Sequence, residues 1–202
     1  MIAFVSGGAR SGKSAVAEAL ARAWRSPAPG GLVYLATARV SDDEMATRVA
    51  RHRRERGEGW LTREAPLDIA GALDRVPVGA CVLLDCLTLW ASQVMFEAGL
   101  EGEAGCRMLR QWVETARRRE ITLVVVSNDL NEDLPPRDEL VWRYLVFLQR
   151  LHRDLAHQAD RVIEVVAGCP VDWKGAIGGK DAVDGKGAVD GKHPDDGKGE
   201  TS

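Results

Sequence analysis

A phosphate-binding motif stands close to the start of the chain. Its residues match the pattern G-x-x-x-x-G-K-[ST] at every fixed position: Gly7, Gly8, Ala9, Arg10, Ser11, Gly12, Lys13 and Ser14. In such a P-loop, glycines let backbone N–H groups curl around phosphate oxygens, and the following helix directs its positive dipole end at them. We expect Lys13 to contact the β- and γ-phosphates of ATP or GTP, and Ser14 to bind Mg²⁺. An apolar run before the motif and a helical pattern after it argue against a chance glycine-rich turn.

A second apolar run ends in an acidic residue. Val82, Leu83 and Leu84 precede Asp85, which is the pattern of a Walker-B strand whose carboxylate holds Mg²⁺ directly or through water. Asp85 could also cap a helix that begins near Leu87, and the two interpretations are compatible. Kinases, GTPases, ATPases and nucleotidyl transferases all use a P-loop, so these motifs leave the reaction open.

Asn128 and Asp129 follow a third apolar run, at residues 123–127. If that run is a parallel strand, both side chains lie at the edge of the sheet where ligands bind in α/β folds. They are therefore candidates for the nucleotide pocket. The alternative is that they form a turn after the strand.

His52 stands in the most arginine-rich part of the chain, between Arg51 and Arg53. On a helix over residues 42–56, one face would carry Met45, Arg48, Val49, His52 and Arg56. Like charge from the arginines would lower the pKa of His52, and a neutral imidazole is a nucleophile. The guanidinium groups of Arg48, Arg51 and Arg53 could hold phosphates. The residues alone leave three interpretations open: a nucleophile, a surface histidine on a basic amphipathic helix, and a nucleic-acid-binding helix.

The elements that must position these residues follow from hydrophobic patterning. Apolar runs predict buried strands at residues 2–6, 32–36, 81–85, 123–127 and 161–166. Helical periodicity predicts helices at residues 13–24, 42–56, 67–75, 87–98, 103–119 and 138–159. Ser41 and Glu44 could form a capping box for the second helix. The alternation of strand and helix predicts an α/β fold with a mostly parallel sheet.

Composition limits the remaining possibilities. The chain has 202 residues, 45% of them apolar and 28% charged, with a net charge of −3, which favours one globular domain and gives no sign of a nucleic-acid or membrane-surface partner. It contains no apolar run near the ~20 residues of a membrane span and no basic region before the motif, so we expect no signal peptide and a cytoplasmic location. A role on the helix surface or in packing between helices is favoured for His152 and His157, and structural roles are favoured for the four cysteines.

The composition changes after Trp173. From Gly178 onward the dipeptide Gly-Lys recurs every six residues. A hexapeptide β-helix needs an apolar residue on each rung, and Val183 and Val189 are almost the only candidates. We therefore predict a domain over residues 1–173 and a disordered tail over 174–202.

Several segments together resemble one family. They are GGARSGKS, YLATA, DDEMATRVARHRRERGEGW, VLLDCLTLW, VVVSND and VVAG. The chain resembles the bifunctional adenosylcobinamide kinase / adenosylcobinamide-phosphate guanylyltransferases of cobalamin biosynthesis over residues 1–171. The resemblance implies a RecA-like P-loop NTPase fold with three layers, and assembly into homo-oligomers such as trimers.

The resemblance implies two reactions. A nucleoside triphosphate first phosphorylates the aminopropanol hydroxyl of adenosylcobinamide. GMP is then transferred from GTP to that phosphate through a guanylylated histidine, whose position in the family motif is occupied here by His52. A single-activity P-loop kinase and a nucleotide-binding regulator are the alternatives.

The chain departs from the family at three places. Gln93 stands near the position of a usual Asn, and Asp129 replaces a usual Glu in a stretch that lacks glycine. The segment Cys169 to Trp173 replaces a short basic end. These differences bear on the kinase reaction and on the shape of the corrinoid site.

Overall fold

The computed structural model describes residues 1–25, 31–38, 54, 56–100, 102–130 and 138–175. The strands in these ranges are β1 (Ile2–Gly7), β2 (Leu32–Ala36), β3 (Leu61–Glu64), β4 (Cys81–Asp85), β5 (Thr122–Asn128), β6 (Arg161–Val166) and β7 (Cys169–Lys174). The helices are α1 (Lys13–Ala23), α2 (Ile69–Asp74), α3 (Leu87–Ser92), α4 (Gly102–Arg118) and α5 (Glu139–Gln158). A π-helical segment, Gln93–Glu97, continues α3.

The strands form one sheet in the order β3-β2-β4-β5-β1-β6-β7. All neighbouring pairs are parallel except β6 and β7, which are antiparallel. The carboxyl ends of β1, β2, β4 and β5 therefore meet at one edge, where α/β proteins bind ligands. The sheet confirms the predicted α/β class and its mostly parallel pairing.

Each face of the sheet has its own hydrophobic core. Along β1, Ile2 and Phe4 belong to the core that α2 to α5 cover, and Ala3 and Val5 belong to the core under α1. This alternation follows from the two-residue period of a strand. Helices on both faces of a sheet give the three-layer arrangement that the resemblance implies.

All five predicted strands are present, and two further strands were not predicted. The sequence of β3, Leu-Thr-Arg-Glu, has a single apolar residue, and β3 pairs with β2 alone. The other, β7, is exposed along its whole length and contains Pro170. Both are edge strands, which need no apolar run and tolerate proline.

The helices start and end within two residues of their predicted bounds, with one exception. The predicted helix over 87–98 is α-helical only to Ser92, after which the N–H of Ala98 bonds to the carbonyl of Gln93 in π-helical spacing. The predicted helix over 42–56, with its capping box, lies outside the described residues except for 54 and 56, which are helical. Residues 176–202 of the predicted tail also lie outside them. None of the helices in the described ranges is long and apolar enough to cross a bilayer.

Candidate nucleotide site

The phosphate-binding motif forms the turn between β1 and α1. Gly7 ends β1, and Gly12 is the N-cap residue of α1. A Cβ on Gly7 would lie 2.5 Å from the carbonyl oxygen of Val165, which is too close for any side chain. Gly12 has a φ of 88°, in the region that favours glycine. The turn is thus the glycine-dependent strand-to-helix turn of a P-loop.

Backbone bonds shape the interior of this turn. The N–H of Ser11 donates to the carbonyl of Gly8 at 3.2 Å, and the Ser11 carbonyl accepts the N–H of Gly168 at 2.8 Å. The Ser11 hydroxyl oxygen is buried without a hydrogen-bond partner among the described residues, and so is available to a phosphate oxygen. Ala9 and Arg10 face solvent. Gly168, in the β6–β7 turn, supports the loop from outside the motif.

Lys13 closes the loop from the first turn of α1. Only 8% of the residue is exposed, and its Nζ donates to the carbonyl of Gly8 at 3.0 Å. Burial lowers the pKa of Lys13, and the Asp85 carboxylate acts in the opposite direction. The loop and the Walker-B carboxylate therefore belong to one electrostatic site, although β5 separates their strands.

Asp85 does not cap the helix that follows it, contrary to the alternative considered from the sequence. The N-cap of α3 is Cys86, whose Sγ accepts the N–H of Leu89 at 3.5 Å. The Asp85 carboxylate instead accepts a hydrogen bond at Oδ2 from the Tyr34 hydroxyl, at 2.8 Å. Its side chain is thus directed toward Tyr34 on β2 and not along α3, and its role as a metal ligand stays a prediction.

Tyr34 is held within the sheet and its neighbours. The Cζ atom of Arg56 lies 3.2 Å from the centre of the Tyr34 ring, and the Trp60 ring meets the Tyr34 ring edge-on with centroids 6.2 Å apart. Burial, and then the charge of Asp85, raise the pKa of Tyr34 far above its usual range. The hydroxyl therefore keeps its proton and acts as a donor to Asp85.

Thr37 and Gln93 brace the turn after Asp85. The Thr37 hydroxyl accepts the N–H of Cys86 at 2.8 Å and lies 3.1 Å from the Asp85 carbonyl that it can donate to. The side-chain amide of Gln93 donates to the Thr37 carbonyl at 2.8 Å. Gln93 thus supports the turn that follows Asp85 through its hydrogen bond to Thr37. Sequence reasoning did not identify Tyr34 or Thr37, although both belong to the segment YLATA.

Asn128 and Asp129 lie beside the P-loop. Asn128 is the last residue of β5 and pairs with Gly7, and the N–H of Asp129 donates to the Gly7 carbonyl at 2.9 Å. The N–H of Asn128 donates to the Thr88 hydroxyl at 2.8 Å. The structure thus brings both residues to the edge that holds the loop. Their role in ligand binding stays a prediction.

A chain of side-chain hydrogen bonds runs beneath this edge. The Thr88 and Ser127 hydroxyls are 2.9 Å apart, and the Ser127 hydroxyl is 2.7 Å from His152 Nε2. The His152 ring also packs on Phe4, with centroids 5.2 Å apart. The packing role expected for His152 is confirmed, and its hydrogen bond is an addition to it. His157 is exposed on the same helix.

His152 should make the fold sensitive to acid. Burial lowers its pKa from 6.5 to about 4, and Asp129 acts in the opposite direction. Between these values the unfolded chain binds a proton at this residue that the folded chain does not, so the free energy of unfolding falls as pH falls through this range. At about 1.4 kcal/mol per pKa unit, we expect a loss of roughly 3 kcal/mol from this group.

Urea unfolding between pH 7 and pH 4 measures this effect. His152→Gln can still bond to Ser127 but cannot take up the proton, so its stability should fall less steeply than that of the wild type. His157→Gln, on the exposed face of α5, is the matched control and should follow the wild type. The same slope in His152→Gln and in the wild type would contradict the prediction.

The four cysteines are free thiols. Cys81 and Cys106 are buried, Cys86 caps α3, and Cys169 is exposed on β7. Burial raises the pKa of Cys86 to about 11, so it remains a thiol next to the candidate metal ligand. The structural role predicted from the sequence suits the first three cysteines.

The predicted residues of the arginine-rich segment lie outside the described residues. They are Arg48, Arg51, His52 and Arg53. Among the residues that the structure describes, no three His, Cys, Asp or Glu side chains form a cluster that could hold a metal ion.

Comparison with known proteins identifies one family. A family model described as cobinamide kinase / cobinamide phosphate guanyltransferase matches residues 3–173. The matched range contains the P-loop, Asp85 and the arginine-rich segment.

Three curated relatives cover most of the chain. It is 39% identical over 175 residues to the bifunctional adenosylcobalamin biosynthesis protein CobP of Pseudomonas aeruginosa, over 84% of this chain and 95% of that protein. It is 33% identical over 192 residues to the bifunctional adenosylcobalamin biosynthesis protein CobU of Salmonella typhimurium, over 86% of this chain and all of that protein. The protein of the same name from Escherichia coli is 31% identical over 187 residues, with the same two shares.

Proposed function

We propose that this chain, which belongs to the cobinamide kinase / cobinamide phosphate guanyltransferase family, performs both reactions at one nucleotide site. The observation that carries the proposal is the complete P-loop, with Lys13 closing it and Asp85 electrostatically coupled to Lys13. The substrates are a nucleoside triphosphate and a corrinoid, adenosylcobinamide. A homo-oligomer remains a prediction from the resemblance.

In the first reaction the aminopropanol hydroxyl oxygen of the corrinoid attacks the γ-phosphorus of ATP or GTP. The new bond is a phosphate ester, the hydroxyl proton is released, and the nucleoside diphosphate leaves. Lys13 and the backbone N–H groups of Gly8 to Ser14 offset the charge that develops on the β- and γ-phosphate oxygens. Lys13 can move to the phosphates by exchanging its bond to the Gly8 carbonyl.

In the second reaction an imidazole nitrogen of His52 attacks the α-phosphorus of GTP, and pyrophosphate leaves. The corrinoid phosphate oxygen then attacks the phosphorus of the histidine phosphoramidate, which gives adenosylcobinamide-GDP and restores the imidazole. The same P-loop stabilises the pyrophosphate leaving group. Arg48, Arg51 and Arg53 are proposed to hold the α-phosphate or the corrinoid phosphate.

Ser14 and Asp85 are proposed to hold Mg²⁺ with the nucleotide. Both supply hard oxygen donors, which Mg²⁺ prefers, and the ion usually keeps waters and phosphate oxygens as its other ligands. The partly buried Ser14 stands in the first turn of α1, and Asp85 ends β4. When bound, the ion neutralises the triphosphate and orients it.

Isotope transfer tests the proposal. With adenosylcobinamide and GTP labelled at the γ-phosphate, we expect label in a corrinoid phosphate. With GTP labelled at the α-phosphate, we expect label in adenosylcobinamide-GDP and one pyrophosphate released per transfer. Transfer of the γ-label alone would leave the single-activity kinase, and transfer of neither label would leave the nucleotide-binding regulator.

A further inference from the structure

Tyr34 reaches the candidate metal ligand from the neighbouring strand. In the register of β2 and β4, Tyr34 pairs with Leu83, and Ala36 pairs with Asp85. Leu83 and Asp85 point to the same face of the sheet because a strand has a period of two. A long side chain on Tyr34 can therefore extend along that face, and its hydroxyl meets Asp85 Oδ2 at 2.8 Å.

Two side chains fix the Tyr34 ring in this position. The guanidinium of Arg56 lies over the ring at 3.2 Å from its centre, and the edge-on ring of Trp60 makes the second contact. Arg56 is only 5% exposed, and its own carbonyl accepts a hydrogen bond from Arg22 Nη2. A cation buried over an aromatic ring makes a stronger contact than one that is exposed to solvent. The ring therefore cannot swing away from Asp85 without displacing Arg56.

We propose that Tyr34 is a positioning residue for Asp85: its hydroxyl holds Oδ2 and so fixes the orientation of the carboxylate that would bind the Mg²⁺ of the nucleotide. Arg56 keeps Tyr34 in the orientation that makes this possible. The inference rests on the proposed function, because it takes Asp85 as the Mg²⁺ ligand.

The size of the effect follows from the one hydrogen bond. A free aspartate side chain turns about two bonds, whereas a carboxylate with one oxygen held presents the other in a fixed direction. Loss of one hydrogen bond to the carboxylate should weaken Mg²⁺ binding about tenfold, which corresponds to about 1.4 kcal/mol. Without the hydroxyl, about ten times more Mg²⁺ should be needed to strengthen nucleotide binding.

The test is the Mg²⁺ dependence of nucleotide binding by Tyr34→Phe. A fluorescent, non-hydrolysable GTP analogue is titrated at a series of Mg²⁺ concentrations and in EDTA. We expect wild-type affinity in EDTA, within about twofold, and a tenfold higher Mg²⁺ requirement. A merely structural loss would weaken binding in EDTA as well. Melting temperatures of the two proteins are compared alongside.

The chain offers a matched control, because Tyr144 is its only other tyrosine. The Tyr144 hydroxyl is also a partly buried donor, and it bonds to the Thr88 carbonyl at 2.8 Å and not to Asp85. Tyr144→Phe should therefore keep the wild-type Mg²⁺ requirement. Arg56→Met keeps the Tyr34 hydroxyl but loosens the ring, and should raise the requirement by about threefold.

The outcomes distinguish failure of the positioning role of Tyr34 from failure of the proposed function. If the wild type binds the analogue with Mg²⁺ and Tyr34→Phe has the same requirement, the positioning role is wrong and the proposed function stands. If Mg²⁺ does not strengthen binding by the wild type, Asp85 is not the ligand and the inference fails. If the wild type does not bind the analogue at all, the proposed function itself is wrong.

Discussion

His52→Ala should abolish transfer of GMP while the protein still phosphorylates the corrinoid. In the proposed reaction the imidazole forms the covalent bond to the α-phosphorus, and an arginine side chain, which stays protonated, cannot replace it as a nucleophile. We expect guanylyl transfer to fall by at least about a thousandfold, since removal of a nucleophile commonly costs that much. The measurement is retention of α-³²P label on the denatured protein, in an acid-labile and base-stable form.

The control for this variant is another histidine. His157 is exposed on α5, and His157→Ala should retain the label as the wild type does. Labelling of His52→Ala at the wild-type level would show that another group carries GMP. Loss of both reactions in His52→Ala, with nucleotide binding intact, would place His52 in the phosphoryl transfer as well.

Lys13→Ala should abolish both reactions, each by about a thousandfold. The ammonium of Lys13 is buried on the P-loop, which in the proposed reactions cradles the β- and γ-phosphates. Those phosphates carry the transferred group in the first reaction and the leaving group in the second. The measurement is the initial rate of transfer of the γ-label and of the α-label, made on the same preparation.

Lys174→Ala serves as the control for loss of one positive charge. Lys174 ends β7 and donates to the carbonyls of Ala156 and His157, and its loss should leave both rates close to those of the wild type. If Lys13→Ala removed one reaction and spared the other, the two reactions would use separate nucleotide sites. The pair of variants at Lys13 and His52 thus distinguishes one shared site from two.

The central strands could be predicted because burial on both faces leaves a continuous apolar run. Leu83 on β4 and Val124 on β5 show this pattern, because the residues directly before and after each of them are also buried. Edge strands have no such requirement, so β3 and β7 carry no comparable signal. The π-helical segment begins at the buried Gln93, whose side chain bonds to the carbonyl of Thr37, 56 residues away. The local pattern of apolar residues carries no information about a contact between residues that lie so far apart in the sequence.

The candidate site also contains residues that could be predicted from the sequence and residues that could not. The P-loop and Asp85 were predicted because each belongs to a motif of consecutive residues in the sequence. Tyr34 and Gly168 were not, since each reaches the site through the order of strands in the sheet. Only the knowledge that β2 lies next to β4 places Tyr34 beside Asp85. The segment YLATA carried that information solely as part of the resemblance.

The place of β1 in the sheet has a consequence for synthesis of the protein. The strand that leads into the P-loop is made before the other strands that the structure describes, whereas its two partners, β5 and β6, come last among the parallel strands. The N–H of Ile2 bonds to the carboxylate of Asp160, 158 residues further on. At about 5–20 residues per second, the ribosome takes about eight to thirty seconds to make that partner after Ile2. The nascent chain therefore cannot complete the candidate nucleotide site before β5 and β6 have been made, and a nucleotide could stabilise the fold only after that point.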